Sequence, residues 1–198
     1  MSSTIMTDAV IRVGDARGFI AKDLEDERIV YTAAHCLPFF PPCHAASYLE
    51  ERTYKALLGP LGQEPTVWAE CLFVDPIGDI AVLGLPDDQE LYDKCHTYEA
   101  LMQSITPLRI ADVREEASAH LLSLDGEWFR CKAQSVCGGP PFVSPTPSKN
   151  LVSGMSGSPI LAEDGSAIGV VCISESRRKS GPHPHLAYHL PTRFLPRR

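Results

Sequence analysis

Short apolar runs broken by turn residues, not long helical stripes, make up most of this chain. Val10-Ile11-Arg12-Val13 alternates and predicts a first strand. Gly18-Phe19-Ile20-Ala21 and Arg28-Ile29-Val30-Tyr31-Thr32 flank an acidic turn at 23–27 and predict a hairpin. Pro38 to Pro42 breaks regular structure. From His44 to Leu58, the residues Tyr48, Leu49, Arg52, Ala56 and Leu57 recur at near-helical spacing, so a helix is predicted there, ended by Gly59-Pro60. Val67 to Val74 reads as a strand, Asp75-Pro76 as a turn, and Ile80 to Leu85 as a mostly apolar, buried strand.

Pro86 to about Pro107 reads as a connection between two halves, with Asp87-Asp88 capping a helix that shows Leu91, Cys95, Tyr98 and Met102 on one face. Ala119 to Leu124 and Trp128 to Val136 are predicted strands around the hairpin signal Asp125-Gly126. Cys137 to Asn150, with its glycines and prolines, is predicted to be a loop. A second hairpin joins Pro159–Ala162 to Ala167–Ile173, Leu186 to Leu190 is a last strand, and a short helix is expected from Thr192. The pattern predicts two β-rich units, 1–86 and 108–198, joined by 87–107.

The candidate chemistry centres on Gly154-Met155-Ser156-Gly157-Ser158-Pro159. Glycines on both sides of a serine permit a sharp turn and a close approach by a substrate carbonyl. Such a turn lifts one hydroxyl out of the chain and aims successive N–H groups into a small concavity suited to an oxyanion. Ser156 is the candidate nucleophile, with the N–H groups of Gly154 and Ser156 as oxyanion donors; Ser158 is the alternative nucleophile. A plain Gly/Ser turn between strands is the competing reading of this stretch alone. A serine nucleophile needs a base, and the base needs a third group to hold it. Ala33-Ala34-His35-Cys36 offers an imidazole at a strand end, where a core histidine is the plain alternative. Asp79-Ile80-Ala81-Val82-Leu83 offers a carboxylate beside an apolar run, expensive to bury without a partner. Asp75 is the alternative carboxylate.

Thr32-Ala33-Ala34-His35-Cys36, Asp79-Ile80-Ala81-Val82-Leu83 and the serine turn, in that order, resemble the trypsin-like serine proteases. The resemblance covers nearly the whole chain. It implies an all-β fold of two packed antiparallel β-barrels with short inserted helices, the chymotrypsin fold. It further implies a serine endopeptidase in which His35 and Asp79 come from the first barrel and Ser156 from the second. Met155 stands where digestive trypsins carry an acidic residue, so activation by N-terminal cleavage is not expected. In motif the chain looks more like the Deg-type proteases and the glutamyl endopeptidases, although no residues remain for the peptide-binding domain that follows the protease in Deg relatives. The family pattern implies a specificity pocket based on Asn150, with walls at Cys172, Ile173, Ser174 and Leu186; without an acidic base, small or medium apolar side chains are the expected preference. The disulfide that secreted relatives make from the position of Cys36 lacks a partner in Gly18–Ala21. The alternative function is a latent or inactive protease-fold module that binds proteins, with an activating protein partner.

Composition narrows the partners. With 198 residues, 18 Lys and Arg against 25 Asp and Glu, and a net charge of −7, the chain is not a general nucleic-acid binder. The short basic runs at Arg177-Arg178-Lys179 and Arg197-Arg198 read as solvated loop and tail. The start lacks the basic and apolar regions of a signal peptide, and no apolar run is long enough to span a membrane. Seven cysteines, an odd number, fit a reduced protein, so a cytoplasmic location is expected. Cys36, Cys43, His44, Cys95, His96, His183 and His185 supply metal-ligand types, but without a Cys-x-x-Cys pair no metal or other cofactor is expected.

Overall fold

Apolar runs without polar alternation become strands covered on both faces. Three such strands place the two halves of this molecule against each other. In the computed structural model, which describes residues 7–23, 25–42, 49–112, 116–134, 142–145, 151–172 and 187–188, the elements run in the following order. The first unit contains β1 (Val10–Val13), β2 (Ala16–Lys22), β3 (Arg28–Thr32), a 3-10 turn (Ala34–Cys36), α1 (Leu49–Arg52), β4 (Thr53–Pro60), β5 (Val67–Asp75) and β6 (Ile80–Gly84). α2 (Tyr92–Gln103) follows. The second unit contains β7 (Ala117–Leu122), β8 (Trp128–Gln134), β9 (Phe142–Pro145), β10 (Pro159–Ala162), β11 (Ala167–Val171) and β12 (Ala187–Tyr188).

β1-β2-β3-β6-β5-β4 close into a barrel, and β12-β11-β10-β7-β8-β9 form a second sheet; every strand pairing is antiparallel. One face of β2, β3 and β6 sends Ile20, Val30, Ala81 and Leu83 into the barrel. The other sends Phe19, Tyr31 and Val82 against Leu108, Leu161, Val170 and Cys172 of the second half. Phe19 and Tyr31 stack with ring centroids 5.5 Å apart. Burying each of these large side chains contributes about 1.5–3 kcal/mol. The second sheet has its own core of Leu121, Phe129, Met155, Ile160 and Ile168. This is the chymotrypsin-like double-barrel architecture.

The helix predicted for 44–58 is corrected. Residues 43–48 lie outside the described ones, α1 is a single turn, and Thr53–Pro60 is a strand. The strand carries a bulge, and of the predicted stripe Leu57 is buried while Ala56 faces solvent. Register shifts between Tyr54 and Leu58, and Ala56 has φ +48°. Two consecutive residues, Lys55 and Ala56, therefore face solvent. Tyr54, Leu57 and Leu58 remain buried. A second correction concerns 137–150: Phe142–Pro145 within the predicted loop is β9, paired with β8 through Gln134↔Phe142 to Cys131↔Pro145. Proline can end an edge strand because an edge leaves N–H positions unused.

α2 buries Tyr98, Leu101 and Met102 over the barrel core. Its start is later than the sequence suggests. Asp87 accepts the N–H groups of Gln89 and Glu90 in a turn, and Leu91 precedes the helix. The Arg28 guanidinium meets the carbonyls of Met102 and Ile105 at its C-terminal end, where a cation is favoured. The stretch expected to form a helix from Thr192 lies outside the described residues.

Candidate active site

β3 carries the chain to its end at Thr32, and buried Ala33 and Ala34 anchor a 3-10 turn whose middle residue points outward. That residue is His35, with 43% of its side chain exposed. Its Nδ1 lies 2.7 Å from Asp79 Oδ2, and its main-chain N–H donates to Asp79 Oδ1 at 2.9 Å. The N–H of Ala34 donates to the Asp79 carbonyl at 3.1 Å. The aspartate thus holds both the ring and the backbone of the turn. With Nδ1 engaged, Nε2 is the ring nitrogen left for chemistry. The Asp79 hydrogen bond pushes the His35 pKa up from 6.5 to about 10, helped by the neighbouring Cys36 and opposed by burial.

Asp79 reaches this position through a left-handed backbone, φ +53°, a conformation for which aspartate is among the tolerated residues. The turn before it is tied by Asp75, whose Oδ1 accepts the N–H groups of Ile77 and Gly78. The alternative carboxylate is therefore occupied locally, and Asp79 is the one beside His35. The Asp79 carbonyl also receives the Cys172 thiol at 3.2 Å, a hydrogen bond from the second half of the molecule.

In the serine turn, Gly154 and Gly157 have φ +91° and +81°. Met155 N–H donates to Val152 O, Gly157 N–H to Val171 O, and Ser158 N–H to Met155 O. Among the described residues, the N–H groups of Gly154 and Ser156 have no main-chain acceptor. A side chain on Gly157 would be impossible: its Cβ would stand 1.8 Å from the Arg17 carbonyl. Met155 is buried in the apolar core of the second sheet.

Ser156, Gly154 and His35 line one cavity of about 400 Å³, together with Ala16, Cys36 and Leu57. This volume lies within the range of small-ligand clefts. Ser156 itself is 6% exposed, and no hydrogen bond joins it to His35. Ser158 is fully buried, and among the described residues its Oγ has no hydrogen-bond partner. Asn150, Ile173, Ser174 and Leu186, the implied specificity residues, lie outside the described residues. Cys172 is described, and its buried thiol donates to the Asp79 carbonyl.

Sequence reasoning missed Arg17. Its main chain donates to Ser156 O at 3.0 Å, and its guanidinium reaches the carbonyls of Leu122 and Ser123. The available signal was an arginine at the head of a run, Gly18-Phe19-Ile20-Ala21, that is otherwise entirely apolar or glycine.

Among the described residues, no three His, Cys, Asp or Glu side chains gather as a metal-ligand set. No helix among them is long and apolar enough to cross a membrane. The cysteines at 36, 71, 95, 131 and 172 form no disulfide.

A closed antiparallel barrel, a second antiparallel sheet and a cleft between them define the class: a chymotrypsin-like protease fold. The solved structure of the Rv3671c protease of M. tuberculosis in an inactive form is similar, with a TM-score of 0.52, 15% identity and coverage of 95% of this chain and 85% of that one. A chimeric, inactive mutant of the murine norovirus NS6 protease matches with a TM-score of 0.49 and 13% identity over 93% of this chain and 92% of its own. The MamO protease domain of Magnetospirillum magneticum matches at 0.47 and 14%, over 95% and 94%. No protein-family model and no curated protein matches the sequence.

Proposed function

We propose that the protein is a serine endopeptidase that works through His35, Asp79 and Ser156. The observation that carries this reading is a shared cleft: Ser156 and His35 line the same cavity while Asp79 holds His35 from behind. His35 Nε2 takes the proton from Ser156 Oγ as the hydroxyl attacks a peptide carbonyl. Asp79 keeps the ring oriented and stabilises the imidazolium. The carbonyl oxygen, now an anion, is received by the N–H groups of Gly154 and Ser156, each such donor contributing ~3 kcal/mol to the transition state. His35 then protonates the leaving amine, and water repeats the cycle on the acyl-enzyme. No resident metal or cofactor takes part in this scheme. Buried Met155 supports operation without trypsin-type N-terminal activation, since it presents no carboxylate for a new amine. We assign the enzyme protein or peptide substrates with small or medium apolar side chains before the cleaved bond, and a reducing, cytoplasmic setting.

The second reading, a latent protease-fold module that a protein partner activates, draws on two observations. Ser156 and His35 share the cleft without a hydrogen bond, and a His35 pKa near 10 favours the imidazolium, which cannot act as a base.

Labelling with a fluorophosphonate probe tests both. The wild type and the Ser158→Ala variant are expected to label, and Ser156→Ala is expected not to. A folded wild type that does not label overturns the constitutive reading in favour of latency; labelling that survives Ser156→Ala overturns the choice of nucleophile.

A further inference from the structure

Arg17 is only 5% exposed at the head of β2, yet it carries a charge. Its Nη1–H donates to Leu122 O at 2.8 Å and its Nη2–H to Ser123 O at 3.0 Å. The acceptors are the last residue of β7 in the other sheet and the residue after it. Two main-chain carbonyls, not a carboxylate, satisfy the guanidinium. Burial pushes its pKa down, but a guanidinium remains charged in proteins. Burying a cation carries a desolvation cost, so its bond to two carbonyls of the other sheet points to geometry more than to stability.

The geometry concerns the nucleophile turn. From one side, Arg17 N–H holds Ser156 O, and Thr32 Oγ1 donates to Arg17 O at 2.7 Å. Gly157 packs so tightly on that carbonyl that only glycine fits. From the other side, Ser123, held by Nη2, leads into Leu124, whose Cδ2 lies 3.4 Å from the place of a Cβ on Gly154. Arg17 therefore meets the turn directly at Ser156 and Gly157, and its guanidinium holds the chain that carries Leu124 beside Gly154, across the junction between the two sheets.

We propose that Arg17 is a positioning residue: its bridge to the Leu122 and Ser123 carbonyls locks the two sheets in the placement that presents Ser156 to His35. Its catalytic consequence rests on the serine-endopeptidase reading; its mechanical role does not.

The test compares wild type, Arg17→Met, Arg17→Lys and a core control, Leu58→Ala, each held equally far below its own Tm. Hydrogen exchange is read at the Gly157 and Ser158 amides, and fluorophosphonate labelling is resolved into a maximal rate and a half-saturating concentration. In Arg17→Met those amides exchange about tenfold faster than in the control, because the turn opens locally. The maximal labelling rate falls about tenfold or more at an unchanged half-saturating concentration, as expected of a misplaced nucleophile. Arg17→Lys keeps a cationic donor for one carbonyl and recovers part of both effects; it carries the comparison by itself if Arg17→Met does not fold. Exchange at the turn no faster than in the control overturns the proposal. A wild type that does not label removes the endopeptidase reading, and the exchange comparison still decides the role of Arg17.

Discussion

The Cys172 thiol donates to the main-chain carbonyl of Asp79 at 3.2 Å, so a residue of the second half helps to hold the carboxylate that orients His35. Removing the donor leaves Ala34 N–H as the remaining described donor to that carbonyl. Cys172→Val is expected to lower stability by about 1 kcal/mol and to slow fluorophosphonate labelling, since a lost buried hydrogen bond has about that net value. Cys172→Ser keeps a donor and is expected to stay close to wild type in both. Thermal melts and labelling rates on the two variants check this.

Gly157 and Gly126 share almost the same backbone angle, φ +81° and +82°, but differ in their surroundings. Nothing lies within 4 Å of a Cβ placed on Gly126, whereas one on Gly157 meets Arg17 O at 1.8 Å. Gly126→Ala is expected to cost only the left-handed strain, about 1–2 kcal/mol. Gly157→Ala is expected to cost upward of ~4 kcal/mol and to abolish labelling, because two backbones must move apart. Denaturant titration of both variants measures the difference.

Among the described residues, the buried hydroxyl of Ser158 finds no partner. An unsatisfied buried polar group costs about 1–3 kcal/mol. Ser158→Ala is expected to raise Tm, or at least to leave it unchanged, while labelling persists. A lower Tm would mean that the hydroxyl has a stabilising role.

The raised pKa of His35 links stability to pH. The folded value, about 10, lies above the free value of 6.5, so the charged pair with Asp79 contributes fully below pH 6.5 and is lost as pH rises through about 10. His35 is 43% exposed, and solvent screening holds the contribution to about 1 kcal/mol or less. The Tm difference between wild type and Asp79→Asn should therefore shrink as pH rises from 6.5 to 10. Labelling, which needs neutral His35, should increase over the same range, with a midpoint well above 6.5 in the wild type and a lower one in Asp79→Asn.

Much of the fold was legible because each strand is written locally. The hairpins around 23–27, 125–126 and 163–165 announce themselves by turn residues between apolar runs. Thr53–Pro60 was not legible, since a bulge at Lys55 and Ala56 breaks the alternation that marks a strand. Phe142–Pro145 was hidden for a similar reason: prolines mark a break in most contexts, but an edge strand accepts them. His35, Asp79 and Ser156 stood out as candidates because each sits in a short motif with its own chemical logic.

By itself, then, the sequence determined the all-β class, the turns and the three candidate groups, because these depend on residues adjacent in the chain. Tertiary structure alone decided which carboxylate meets the imidazole, which serine faces the cleft and which is walled in, and which distant groups touch the serine turn. Those choices depend on groups distant in the chain, such as Arg17 with Leu122 and Cys172 with Asp79. Their pairing is set by how two sheets pack through the outer faces of β2, β3 and β6. No local pattern encodes that packing, because an apolar residue reads the same whichever face it covers.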